Sequence, residues 1–64
     1  MDHAKEMMTA LCEAAWAVGT AEGRIPGVGY VQIDRVNDRR VYKLDGEKVT
    51  GRSIWKLIQP NEYV

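Results

Sequence analysis

The chain predicts an α+β domain, with an N-terminal amphipathic helix over residues 2–18 packed on a three-stranded antiparallel meander over 29–50, and a short C-terminal helix over 53–58. Three observations lead there. Apolar residues recur at helical spacing through the first eighteen positions, two dipeptides with turn chemistry sit eight residues apart, and a second apolar cluster precedes Pro60. With 64 residues, 1–64 form one small domain, near the size at which burial only just balances chain entropy.

At 100° per residue, Ala4, Met7, Met8, Leu11, Ala14, Ala15 and Val18 gather in a stripe roughly 120° wide, the pattern of a helix lying on a core. Asp2 is the candidate N-cap, Glu6 suits the positive end of the helix dipole, and Gly19 is the natural stop. Residues 20–29, with three glycines and Pro26, read as a connector in which Pro26-Gly27 forms a type II turn.

The meander rests on Asn37-Asp38 and Asp45-Gly46. A two-residue loop at each sets Ile33 opposite Tyr42, Val31 opposite Leu44, and Tyr42 opposite Val49. Side chains alternate along a strand, so these five share one face, and a slip of one residue would expose them all. Ile54, Leu57 and Ile58 then match the i, i+3, i+4 spacing of a short helix capped by Thr50 or Ser53. The same stretch also alternates as a strand, and that alternative makes the β portion a small SH3-like barrel behind an N-terminal helix.

Composition excludes several classes. The chain is 45% hydrophobic and 28% charged, which is globular rather than disordered, and its formal net charge is zero. It has no apolar run long enough for a secretory core or a membrane span. Cys12 is the only cysteine, so no intrachain disulfide can form, and a cytoplasmic location is expected. No cofactor or metal is expected either, because His3 and Cys12 cannot complete a four-ligand site. An enzyme is not expected. Nine residues along one helix separate His3 from Cys12 by about 13 Å, too far for a thiol and its base. Gly27-Val28-Gly29 lacks the strand before it and the helix after it that a phosphate loop needs.

What remains is binding. Trp16 projects roughly 130° away from the centre of the helical stripe, beside Cys12, and an exposed tryptophan is common at interfaces. Tyr30, Val36 and Val41 add a weaker apolar patch on the sheet face away from the helix. The expected function is therefore a non-enzymatic protein-binding module, acting on a protein partner or as a homodimer through Trp16, Cys12, Tyr30, Val36 and Val41. Its format is compatible with small phage or mobile-element accessory proteins that occlude a site on a larger partner.

The alternative is a small nucleic-acid-binding regulator. Arg35 and Arg40 are cross-strand neighbours at the first hairpin tip, and with Arg39, Lys43 and Arg52 they could contact phosphates. Aspartates interleave these cations, and the isoelectric point is about 6.5, below that of a dedicated nucleic-acid binder. Like charges directly opposite repel, so replacing Arg35 and Arg40 together is expected to leave stability unchanged or raise it slightly.

Overall fold

The computed structural model describes residues 3–58. Its elements are α1 (His3–Val18), β1 (Thr20–Ile25), β2 (Gly29–Val36), β3 (Arg39–Leu44), β4 (Glu47–Val49) and α2 (Gly51–Ile58). The strands form one antiparallel sheet in the order β1-β2-β3-β4. Both helices contribute to a single core on one side of it.

The two turns behave as their chemistry requires. Asn37 and Asp38 have φ of 52° and 62°, and Asp45 and Gly46 have 50° and 88°, so positive φ holds at both central residues of each two-residue loop. The resulting pairs are Ile33 with Tyr42, Val31 with Leu44, and Tyr42 with Val49, as the turns predict. Asp45 also ties the second turn to the start of β2. Its carboxylate accepts the Tyr30 N–H at 3.0 Å, and its own N–H donates to the Tyr30 carbonyl at 2.8 Å.

Among the described residues the sheet has four strands, not three. Residues 20–25 of the expected connector form β1, which pairs along its whole length with β2. Its composition hides this, since Ala, Glu and Gly are poor strand formers. The pairing partner decides, together with a period-two alternation that puts Ala21, Gly23 and Ile25 inward and Thr20, Glu22 and Arg24 outward. Pro26-Gly27 does form a type II turn, with φ of 79° at Gly27 and the Val28 N–H donating to the Ile25 carbonyl at 3.0 Å, but it closes a hairpin rather than ending a loop.

Helix α1 stops at Gly19, whose φ of 99° suits glycine and whose N–H donates to the Ala15 carbonyl at 2.8 Å. The segment after β4 is a helix, which rules out the barrel alternative. It starts two residues earlier than expected, and Thr50 caps it by accepting the Ser53 N–H at 3.2 Å. The expected N-cap Asp2 and stop Pro60 lie outside the described residues.

The fully buried residues are Met8, Ala15, Ile25, Val31, Ile33 and Ile54. Each large one contributes about 1.5–3 kcal/mol of transfer free energy, so the core is thin. The face that α1 buries differs from the expected stripe. Met8 and Ala15 are deepest and Cys12 is half-buried, whereas Ala14 is exposed and Val18 is 76% exposed. The helix is rolled toward β3, and the contacts made by Cys12 and Trp16 show why.

Candidate functional site

Trp16 and the arginine pair, expected to serve two different functions, meet in one cluster. Arg35 and Arg40 are cross-strand partners on the helix-facing side of the sheet. Their guanidinium carbons lie over the Trp16 ring, 5.3 and 4.9 Å from its centroid. Arg35 Nη1 also donates to the Trp16 carbonyl at 2.7 Å, and Arg40 Nε donates to the Cys12 carbonyl at 3.2 Å. Trp16 lies in the last turn of α1, whose carbonyls form the negative end of the helix and favour a cation, whereas the Cys12 carbonyl lies about a turn further in. The cluster therefore accounts for both odd features at once. The indole face and the helix carbonyls, not Asp34 or Asp38, offset the repulsion between the arginines. Trp16 remains 39% exposed.

Cys12 is half-buried, with its thiol hydrogen-bonded to Tyr42. Burial raises its thiol above the ordinary value of 9.0, with the Tyr42 hydrogen bond and the Arg40 charge pulling the other way. Tyr42 is raised by the same burial. A thiol kept neutral in this way is a packing group and a poor nucleophile.

Among the described residues, the opposite face of the sheet carries no helix. By register it presents Thr20, Glu22 and Arg24 from β1, Tyr30, Gln32, Asp34 and Val36 from β2, Arg39, Val41 and Lys43 from β3, and Lys48 from β4. Its two carboxylates are engaged within the sheet: Thr20 Oγ1 donates to Asp34 at 2.7 Å, and the Tyr30 hydroxyl donates to Glu22. That bond, with Glu22 beside it, raises the Tyr30 pKa. Lys43 and Lys48 stand directly opposite each other. The four cations outnumber the two carboxylates, so the face is basic, with Tyr30 and Val36 toward the two ends of β2 and Val41 beside Asp34.

The remaining sequence-predicted residues divide between surfaces. Tyr30, Val36 and Val41 do share the uncovered face, with Val36 49% exposed. Arg39 and Lys43 join them there. Arg35 and Arg40 point the other way, and Arg52 sits on α2, so the five cations of the phosphate-contact reading do not form one patch. Sequence reasoning missed Arg24, Glu22 and Lys48, because the first two belong to the strand read as a connector. It also missed a shallow cleft of about 330 Å³ lined by Arg39, Arg40, Tyr42, Lys48, Thr50 and Gly51 among others. Among the described residues, β4 is three residues long and pairs with β3 only from Tyr42 to Leu44, which leaves the cleft beside Arg39 and Arg40.

Among the described residues, no group of three or more His, Cys, Asp or Glu side chains is placed to hold a metal ion. No helix there is long and apolar enough to cross a membrane. Comparison with protein-family models, with curated proteins and with solved structures finds no match for the chain.

Proposed function

We propose that this protein is a non-enzymatic, cytoplasmic protein-binding module whose working surface is the uncovered face of the sheet. The observation that carries this is the one-sided architecture: among the described residues, both helices lie on one face of a four-stranded sheet and none lies on the other. Antiparallel sheets can hold a solvated face, but this one keeps Tyr30, Val36 and Val41 among its charges. Apolar side chains set among charged ones, as Val41 and Val36 are beside Asp34 and Arg39, suit a protein interface more than a purely solvated face. The excess of cations favours a partner with an acidic surface. Glu22 and Asp34 would face a phosphate backbone unfavourably, which places a protein ahead of a nucleic acid. Occlusion of a site on a larger protein is the mode of action that suits so small a domain. The unpaired thiol of Cys12 supports a reducing compartment.

One observation favours the nucleic-acid reading: the cleft beside α2 brings Arg39, Arg40 and Lys48 to one place. The two readings separate in one experiment. The tagged chain is used to capture proteins from its native cytoplasm, alongside Val41→Asp and Lys43→Glu on the open face and Glu13→Ala on α1 as a control, with each variant checked for folding by circular dichroism. Binding to generic duplex DNA is titrated against salt in parallel. A partner lost with the open-face variants and kept with Glu13→Ala supports the proposal. Tight DNA binding that falls steeply with salt and disappears in Arg39→Ala/Lys48→Ala would replace it with the second reading.

A further inference from the structure

The geometry points to a second copy of this chain as the partner of the β1 edge, giving a dimer with a continuous eight-stranded sheet. Among the described residues, strand β1 is at the edge of the sheet and pairs only with β2. The Arg35 N–H donates to the Gly19 carbonyl, so the odd-numbered residues from 19 to 25 direct their backbone groups toward β2. Those of Thr20, Glu22 and Arg24 therefore point outward, as the ladder of an antiparallel pair alternates. Between Thr20 and Ile25 the edge carries neither the proline nor the lysine that commonly blunts one.

Charge selects a single register for two such edges. A two-fold axis through Glu22 sets glutamate against glutamate, and one through Arg24 sets arginine against arginine. Centring on Gly23 sets Glu22 opposite Arg24 of the second copy, twice by symmetry. Both are residues whose backbone groups point outward, so each pair exchanges two hydrogen bonds. Ala21 then meets Ile25 of the second copy on the helix side, and the two glycines at the axis put no side chain in the way.

The roll of α1 supplies the second half of the contact. Leu11 lies over β1, its side chain 3.6 Å from where a Cβ on Gly23 would sit, while Cys12 and Trp16 lie toward β3. Passing Leu11 around the helix, away from Cys12, leads through the half-buried Met7 to Val18 and Ala14, the part of the apolar stripe that the core leaves uncovered. Ala14 and Val18 are exposed there, alongside the free edge. With strands about 4.8 Å apart and α1 packed across β1 and β2, the two-fold brings the helices antiparallel at about the 8–10 Å of ordinary helix packing. The edge and the stripe thus require the same occupant, and the open sheet face stays free.

Sedimentation equilibrium of the full chain, over a range reaching millimolar, tests this. The wild type is expected to dimerise. Ala14→Arg, at an exposed helix position, should weaken association about tenfold or more by placing a charge in an apolar contact. Val18→Asp repeats that test should the first variant fail to fold by circular dichroism. Glu22→Arg should weaken it about tenfold by setting arginine opposite arginine on both sides of the axis. The reversed pair, Glu22→Arg with Arg24→Glu, should restore it to within about threefold of the wild type. A wild type that stays monomeric throughout overturns the proposal, as does a dimer indifferent to Ala14→Arg and Val18→Asp. A reversed pair no better than Glu22→Arg alone overturns the register.

Discussion

Replacing Arg35 and Arg40 together with alanine should destabilise the fold, although charge repulsion taken alone predicts the opposite. The structure supplies the terms. Two guanidinium groups lie over Trp16 at 5.3 and 4.9 Å, each worth about 0.5–1 kcal/mol at an exposed site. Arg35 also donates to the Trp16 carbonyl in the last turn of α1, a cation-to-helix-end interaction of about 0.3–1 kcal/mol, and Arg40 donates to the Cys12 carbonyl, a hydrogen bond of about 0.5–1.5 kcal/mol. Against these, separating two like charges opposite each other returns about 0.2–1 kcal/mol. The balance is a loss of about 1–3 kcal/mol, a large share of a small domain's stability. Urea denaturation followed by circular dichroism measures it. Arg35→Lys/Arg40→Lys keeps the charge but loses the flat guanidinium face, so it should recover only part of the loss. A double-mutant cycle between Trp16→Leu and Arg40→Ala should give a coupling of about 0.5–1 kcal/mol. A double alanine variant as stable as the wild type, or more so, would show that repulsion outweighs the clamp and refute the reasoning.

Other expectations follow from the core and its ionisable groups. Ile33→Ala removes a fully buried side chain and should cost about 2–5 kcal/mol, whereas Gln32→Ala on the open face should cost under about 0.5; similar losses from both in urea titrations would contradict the register. Gly51→Ala should lower the melting temperature, since the added Cβ would sit 2.9 Å from the Tyr42 ring, and an unchanged value would mean that the ring is free to shift. Cys12 and Tyr42 have pKa values raised in the folded state, so the unfolded chain loses these protons first. Their contribution is complete below the unfolded values and is lost as pH rises through the alkaline range toward the folded ones. Unfolding titrations from neutral to alkaline pH should show this decline, and Cys12→Ala should remove its lower-pH part. A stability that rises with pH there would contradict the buried, neutral thiol.

The register of β2, β3 and β4 was legible in the residues alone, because positive-φ turn chemistry and period-two alternation are local and agreed with each other. Asn37-Asp38 and Asp45-Gly46 leave one pairing that places Val31, Ile33, Tyr42, Leu44 and Val49 on a common face. The stop of α1 at Gly19 and the cap of α2 at Thr50 were legible for the same reason, since each depends on a few neighbouring backbone groups. Strand β1 was not, because Ala21, Glu22 and Gly23 at its middle have no strand preference of their own and acquire a strand conformation only from the hydrogen-bonding edge of β2. Nor was the roll of α1, which changed the meaning of the candidate site. Helical periodicity placed Leu11 and Val18 near the middle of the apolar stripe, but it could not know that two arginines from a distant hairpin would hold Cys12 and Trp16 toward β3. That contact joins residues up to 28 apart in sequence, and no local pattern encodes it. Composition named the cations. Only the packing of α1 across the sheet decided which of them clasp the protein's own helix and which are left facing outward.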